Sequence, residues 1–249
     1  MTIETQADVE ALKTIGKIVA ETLKLMMTEA KPGMTTKELD EIGKKYLEIH
    51  QAKSAPKHCY NFPGTTCISI NEDIAHGIPN DYVIKDGDMI NIDVSAELNG
   101  YFADTGGSFV VGPEIKKEQA LVLKATKEAL QNAMRVAIAD APLNLIGREI
   151  EKVAKKYNLK IIENLGSHGV GRALHEEPGF IAPFFDPKDK RKLKLGQVIT
   201  IEPFLSTHST EALECSDGWT LTTDKGNFAA QFEHSMIITK KYPIVLTQA

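Results

Sequence analysis

The pair Asn99-Gly100 constrains the fold more than any other feature of this chain. It lies between two extended runs, MINIDVSAEL (89–98) and YFADTGGSFVV (101–111). An Asn-Gly pair between such runs is the strongest short signal for a β-hairpin with a two-residue turn. We therefore predict an antiparallel hairpin in which Leu98 pairs with Tyr101.

The hairpin register brings two acidic residues together. Counting back from the turn pairs Ser95 with Asp104, and Asp93 shares a face with Ser95 because side chains alternate along a strand. Asp93 and Asp104 are then diagonal neighbours within reach of one ligand. Two carboxylates this close are unfavourable unless a cation or a shared proton neutralises them. The alternative is that both acids decorate a solvated sheet face.

Three further residues favour a metal site. Glu202 ends a β-type run in ITIEPF, where Pro203 blocks further ladder pairing. Glu233 lies in the apolar segment AAQFEHSMII, where a buried acid needs a partner, and His168 lies in the glycine-rich segment GSHGVG. With the hairpin acids they make four carboxylates and one imidazole. This set suits two Mn, Fe or Co ions better than a structural zinc.

Hydrophobic periodicity predicts the other elements. Apolar residues at helical spacing indicate a helix over about 7–30, and a capping box of Thr35 and Glu38 begins a second helix, whose apolar stripe extends to Ile49. Residues 51–65 are predicted to form a loop. Two more helices are expected at about 114–139 and 144–157, and one long strand at 231–239.

The chain also contains a weak internal repeat. Leu39, Ile42 and Tyr46 correspond to Ile150, Val153 and Tyr157 at a constant step of about 111 residues, which is the difference between their numbers. Asp93 and Glu202 each follow a glycine by six residues at the end of a β-type run. We interpret this as a duplicated αα–β unit in a single domain, 1–249, with halves of about 1–112 and 113–249. Coincidence between two amphipathic helices and two strands is the alternative.

Composition excludes several classes. The 249 residues carry 29 basic and 34 acidic side chains, a formal net charge of -5, without basic clusters. We therefore expect no dedicated nucleic-acid binding. No apolar stretch approaches the roughly 20 residues that span a bilayer, and the polar start resembles no signal peptide. Three widely spaced cysteines favour a reducing cytoplasm.

Other catalytic patterns are incomplete. His175-Glu176 begins like HExxH, but residue 179 is glycine, and Leu174 occupies the third glycine position of a dinucleotide-binding pattern. The adjacent pair His58-Cys59 is poorly arranged for a thiol nucleophile.

Five segments together resemble the type I methionine aminopeptidases. They are NFPGTTCISINEDIAHGIP (61–79), INIDVSAELNGYFADTGGSFVVG (90–112), SHGVGRALHEEP (167–178), ITIEPF (199–204) and DGWT…QFEHS (217–235). They span most of the chain in the family's order. The resemblance implies an α+β pita-bread fold, in which two pseudo-symmetric αα–β halves surround a central, curved, mostly antiparallel sheet.

The resemblance also implies residue roles. The metal ligands would be Asp93, Asp104, His168, Glu202 and Glu233, holding two divalent ions (Co, Mn or Fe(II)). His76 and His175 would contact the substrate and the transition state, with Glu202 as the proton acceptor. Residues at positions of the methionine pocket are Phe62, Cys67, Trp219 and Cys59.

Three positions depart from the family pattern. Cys59 stands where the family often has tyrosine, Leu174 where it often has phenylalanine, and Ser167 where glycine is common. No metal ligand is affected. These departures concern the shape of the methionine pocket rather than the chemistry.

The implied activity is removal of the initiator methionine from nascent polypeptides whose second residue is small. We expect a cytoplasmic monomer, with at most transient contact with the ribosome and no membrane or specific nucleic-acid partner. One rival reading is a proline-specific peptidase related to prolidase or aminopeptidase P. These relatives usually carry an extra N-terminal domain. Another is a pita-bread binding protein without catalysis, which the five intact ligand positions disfavour.

Overall fold

The computed structural model describes residues 1–248. Its helices are α1 (Gln6–Glu29), α2 (Thr36–Ile49), α3 (Ala55–Tyr60), α4 (Lys117–Val136) and α5 (Asn144–Tyr157). Its strands are β1 (Lys53–Ser54), β2 (Cys67–Ile70), β3 (Asp73–Ala75), β4 (Met89–Leu98), β5 (Tyr101–Val110), β6 (Lys160–Ile161), β7 (Ser167–Gly169), β8 (Glu176–Ile181), β9 (Val198–Ile201), β10 (Phe204–Ser206), β11 (Leu213–Glu214), β12 (Leu221–Thr222), β13 (Ala229–Gln231), β14 (His234–Ile237) and β15 (Ile244–Val245). Of the helices in this described part, none is long and apolar enough to cross a membrane.

The hairpin of β4 and β5 forms in the predicted register. Leu98 pairs with Tyr101 and Ser95 with Asp104. Asn99 and Gly100 both have positive φ, 52° and 80°, which is the backbone that a type I′ turn requires and that Asn-Gly adopts readily. Because the register is as predicted, Asp93 and Asp104 are diagonal neighbours on one face of the sheet.

The first helix pair covers the other face of this hairpin. Helix α2 begins with the predicted capping box, in which Thr35 and Glu38 each satisfy the other's backbone N–H. Ile15 and Leu39 pack with Ile90 and Ile92 of β4 in one buried cluster. The sequence prediction for Ile49 is wrong: it is exposed, because α2 ends at this residue.

The second helix pair packs on the strands of the C-terminal part. Ala129 of α4 and Ile150 of α5 share a buried cluster with Ile199 and Ile201 of β9 and with Leu205 of β10. This arrangement turns the opposite face of β9, which carries Thr200, away from the helices.

All strand ladders of residues 1–248 are antiparallel and fall into four sheets. An isolated bridge between Gly107 and Phe232 connects β5 to the segment between β13 and β14. The two hairpin acids therefore face strands that come from the C-terminal part of the chain.

Two further local predictions are wrong. Residues 51–65 contain β1 and the six-residue helix α3, which Ser54 caps by accepting a hydrogen bond from the Lys57 N–H. The run 231–239 is divided, because β13 pairs with β10 while β14 pairs with β9. Glu233 lies at this crossing between two sheets, where its N–H donates to the Gly106 carbonyl.

Gly16 provides a test of the packing between α1 and the C-terminal segment. A Cβ at this position would meet the backbone carbonyl of Leu246. Alanine improves helix propensity by about 1 kcal/mol over glycine, whereas overpacking against a fixed neighbour costs about 1–3 kcal/mol. We expect Gly16→Ala to lower the free energy of unfolding by up to about 2 kcal/mol in urea denaturation. Lys17→Ala, at an exposed neighbouring position, is the control, and a more stable Gly16→Ala protein would contradict the packing argument.

Candidate metal centre

The two strands of the hairpin, β4 and β5, carry Asp93 and Asp104. Asp104 on β5 is buried, and Asp93 on β4 lies opposite Cys67 of β2. The backbone N–H of Asp104 donates to Ser235 Oγ at 2.9 Å, which ties β5 to β14. The acids of the N-terminal part are thereby fixed against strands of the C-terminal part.

Glu202 follows β9 directly. Its backbone N–H donates to Ser167 Oγ at 2.9 Å, and its Oε1 accepts from Thr200 Oγ1 at 3.1 Å. Pro203 has no N–H to donate, and it lies between β9, which pairs with β14, and β10, which pairs with β13. Ser167, which departs from the family's common glycine, therefore supplies an acceptor that orients the backbone of Glu202.

Glu233 is held by a buried amide relay. Gln231 Nε2 donates to Glu233 Oε2 at 3.0 Å, and Asn91 Nδ2 donates to Gln231 Oε1 at 2.8 Å. Gly106 leaves room for the Gln231 side chain, which a Cβ at that position would contact. The relay leaves Glu233 Oε1 free to face the other acids.

His168 on β7 points the second nitrogen of its ring at the acids. Its Nδ1 lies 2.9 Å from the Gly169 carbonyl, which can only accept, so Nδ1 carries the proton. Its Nε2 lies 3.3 Å from Glu202 Oε1 and 3.9 Å from Asp104 Oδ2. A backbone carbonyl that fixes the tautomer in this way is typical of metal-binding histidines.

Burial and mutual repulsion disfavour charge on these acids. Burial raises the pKa of Asp93 to about 6. The pKa values of Asp104, Glu202 and Glu233 are raised well above their ordinary range, first by burial and then by the neighbouring carboxylates. Burial, followed by repulsion from His175 when that ring is protonated, lowers the pKa of His168 to about 4. The imidazole is therefore neutral, as a metal ligand must be.

The donor set fits divalent cations. Ligand atoms of Asp104, His168 and Glu233 all lie within 4.8 Å of one another. Asp104 Oδ1 and Glu233 Oε1 are buried without a hydrogen-bond partner among residues 1–248. A cation would satisfy both oxygens and offset the repulsion between the acids, and oxygen-rich sites with one imidazole suit Mn, Fe or Co.

A cavity of about 350 Å³ opens onto this centre. It contains Asp93, Asp104, His168 and Glu202 on its polar side. Among the other lining residues are Pro56, Tyr60, Phe62, Cys67, His76, Leu174, His175, Phe180, Phe204 and Trp219. Phe62 and Trp219 meet edge to face with centroids 5.3 Å apart. Burial raises the pKa of the Cys67 thiol well above its ordinary value, so Cys67 is uncharged.

The other two histidines predicted for the site, His76 and His175, lie at the exposed rim of the cavity. His76 has a φ of 52°, an uncommon conformation for a non-glycine residue, and Gly77 beyond it packs against the backbone of Ile68. Such local strain is concentrated at functional sites. The His175 ring lies 4.3 Å from that of His168. Although both side chains reach solvent, the surrounding protein removes part of their hydration and lowers the pKa of both rim histidines, so both are neutral near pH 7.

Cys59 is the one predicted pocket residue that the cavity does not include. Its side chain is exposed, and the adjacent Tyr60 lines the cavity instead. The difference arises because residues 55–60 form a helix, in which neighbouring side chains point about 100° apart. Tyr60 was not predicted as a pocket residue, and its only signal in the sequence is Ser54-Ala55-Pro56, which resembles a helix start.

The comparisons with known proteins agree with this geometry. Residues 10–240 match metallopeptidase family M24. The chain is 47% identical over 248 residues to the methionine aminopeptidase of Staphylococcus epidermidis, covering 100% of this chain and 99% of the relative. It is 43% identical to methionine aminopeptidase 2 of Bacillus subtilis, covering 100% of both.

A solved structure gives the same result for the fold. The crystal structure of methionine aminopeptidase from Rickettsia prowazekii has a TM-score of 0.94 to this chain, with 33% identity and 100% coverage of both chains. The α+β pita-bread fold expected from the sequence is confirmed. The chain therefore belongs to metallopeptidase family M24 and, within it, to the methionine aminopeptidases.

Proposed function

We propose that the protein uses two divalent metal ions to remove the initiator methionine from nascent polypeptides whose second residue is small. The observation that carries this proposal is a cluster of two buried carboxylates, two half-buried carboxylates and one neutral imidazole beside a largely apolar cavity of about 350 Å³. The metal ions are proposed to be Co, Mn or Fe(II), because all three suit oxygen-rich sites.

The five side chains would hold the metal ions together. Asp104 and Glu233 would be the central ligands, which is supported by their buried and unpartnered oxygens. Asp93 would complete one of the two metal positions, and His168 with Glu202 the other, which is supported by the 3.3 Å contact between His168 Nε2 and Glu202 Oε1. When bound, divalent cations offset the carboxylate charges and supply Lewis acidity that lowers the pKa of water.

Glu202 is the proposed proton acceptor. Its Oε1 is oriented by Thr200 and its backbone by Ser167, so the carboxylate is held at the edge of the cavity, where it can take a proton from the attacking water. His175 is placed to donate a hydrogen bond to the oxygen of the scissile carbonyl as charge develops. His76 would orient the scissile amide and, as a neutral imidazole, relay to the leaving nitrogen the proton that Glu202 accepts from water.

The apolar part of the cavity would hold the methionine side chain. Phe62, Cys67 and Trp219 would contact the methionine side chain, as expected from the sequence. Tyr60 would contact it in place of Cys59. Leu174, where the family often has phenylalanine, also lines this space. A flexible thioether fits such an irregular apolar pocket well.

The wider assignment follows from the substrate. New chains are made in the cytoplasm, so we infer that the enzyme is located there and contacts the ribosome transiently. We further infer that it is a monomer. We also infer that residues 1–249 form one catalytic domain with two related halves. In support, Asp93 and Asp104 come from the first half and His168, Glu202 and Glu233 from the second.

A peptide assay tests the proposal against its rivals. We expect the metal-free protein to be inactive and the Mn- or Co-loaded protein to release methionine from Met-Ala-Ser but not alanine from an Ala-Pro peptide, as followed by chromatography of the products. Preference for the Ala-Pro peptide would instead indicate a proline-specific peptidase. Turnover of neither peptide by metal-loaded protein would indicate a binding protein.

A further inference from the structure

We propose that Tyr60 is a positioning residue that fixes the tautomer of His175 with the proton on Nε2. The inference rests on the proposed function for its kinetic consequence, but its geometric part stands on its own. Tyr60 follows Cys59, the predicted pocket residue, by one position.

The short helix α3 places the Tyr60 hydroxyl against the histidine ring. Tyr60 Oη lies 2.8 Å from His175 Nδ1, and the two ring centroids are 5.7 Å apart. Tyr60 is the last residue of α3, which ends because Asn61 adopts a left-handed conformation with φ 59°. The position of the hydroxyl is therefore set by backbone structure at the helix end.

The chemistry of the two groups decides the direction of this hydrogen bond. A phenol with a pKa of about 10 keeps its proton at neutral pH and is a good donor. A neutral imidazole has one protonated and one unprotonated nitrogen, and the unprotonated one is a much stronger acceptor than a phenol oxygen. Tyr60 therefore donates to Nδ1, and the proton of the His175 ring resides on Nε2.

The adjacent histidine is held in the opposite tautomer. The Gly169 carbonyl accepts from His168 Nδ1, so His168 presents an unprotonated Nε2 to the acids. The two rings are in contact, with centroids 4.3 Å apart. The Gly169 carbonyl thus leaves His168 able to bind a metal through Nε2. The Tyr60 hydroxyl leaves His175 able to donate a hydrogen bond from Nε2.

The expected consequence lies in the transition state rather than in substrate binding. Nε2 is the ring nitrogen of His175 that Tyr60 leaves free, and an N–H there can donate to the developing oxyanion. Without Tyr60 the ring would divide between its tautomers and rotate more freely. We therefore expect Tyr60→Phe, which keeps the apolar ring, to lower kcat for Met-Ala-Ser about tenfold, with KM unchanged within about twofold.

The experiment pairs kinetics with a spectroscopic measurement. Long-range ¹H–¹⁵N NMR spectra of the full-length protein, metal-free and loaded with diamagnetic Zn²⁺, distinguish the tautomers of His175, whose signals are identified by their loss in His175→Gln. We expect an unprotonated Nδ1 in the wild type and a mixture of tautomers in Tyr60→Phe. Tyr242→Phe, at a tyrosine that is 74% exposed, should change neither measurement.

Each contrary outcome has a distinct meaning. A protonated Nδ1 in the wild type, or an unchanged spectrum in Tyr60→Phe, would overturn the proposal. A raised KM with unchanged kcat would also overturn it, because it would assign Tyr60 to the methionine pocket alone. If the wild-type protein fails to cleave Met-Ala-Ser, the proposed function fails, while the NMR spectra still decide the tautomer.

Discussion

Glu202→Gln is expected to lower kcat by about a hundredfold to ten-thousandfold while the protein remains folded. Glutamine keeps the size of the side chain and one carbonyl oxygen, but it is not basic enough to accept a proton from water. General-base catalysis contributes about 10² to 10⁴ to the rate. The loss should appear in kcat for Met-Ala-Ser, measured at saturating Mn or Co.

Controls separate loss of the base from loss of metal. The metal content of the variant, measured by elemental analysis after gel filtration, identifies preparations that carry the same amount of metal as the wild type. Glu211→Gln, at an exposed glutamate, should retain full activity. If metal-loaded Glu202→Gln keeps more than about a tenth of the wild-type kcat, Glu202 is not the proton acceptor.

The sequence predicted those parts of the site that local patterns determine. Between two strands, Asn99-Gly100 strongly favours a type I′ turn. This turn sets the strand register and therefore places Asp93 and Asp104 diagonally on one face. The capping box at Thr35 was equally predictable, because its two hydrogen bonds lie within four consecutive residues. Such features depend on residues close in the sequence, and their geometry does not depend on the remainder of the fold.

The remaining features depend on contacts between distant residues. In the relay from Asn91 through Gln231 to Glu233, Asn91 and Gln231 are 140 positions apart. No pattern in either segment predicts this contact. The interruption of the run 231–239 has the same origin, because β13 and β14 pair with different strands. Tyr60 was missed because its role depends on His175, which is 115 positions away.

Asp104→Asn is expected to stabilise the metal-free protein and to abolish most of its stabilisation by metal. Asp104 is buried, and one of its oxygens has no hydrogen-bond partner among residues 1–248. Removing its charge relieves repulsion with Asp93 and Glu233. We expect the free energy of unfolding of the metal-free protein to rise by about 1–2 kcal/mol, which corresponds to roughly 2–8 °C in Tm for a protein of this size. The wild type should instead gain about 2.7 kcal/mol from metal at 100 times its Kd.

The pH dependence of the metal-free protein gives an independent test of the same repulsion. Folding raises the pKa of Asp93 from its ordinary value of 3.8 to about 6. Between these values the folded state binds a proton that the unfolded state does not, so this contribution to stability is complete below about pH 4 and is lost as the pH rises through 6. The pKa values of Asp104, Glu202 and Glu233 are raised as well and act in the same direction, so the metal-free wild type should have a higher Tm at pH 5 than at pH 7.

Calorimetry of three proteins at both pH values, with and without Mn, separates the two effects. Asp81→Asn, at an exposed aspartate, should behave as the wild type in every condition. Asp104→Asn should show a smaller Tm difference between pH 5 and pH 7, because one of the carboxylates that repel each other is gone. A metal-induced rise in Tm as large in Asp104→Asn as in the wild type would exclude Asp104 as a metal ligand. A metal-free Asp104→Asn protein less stable than the wild type would show that hydrogen bonding at this position outweighs the repulsion.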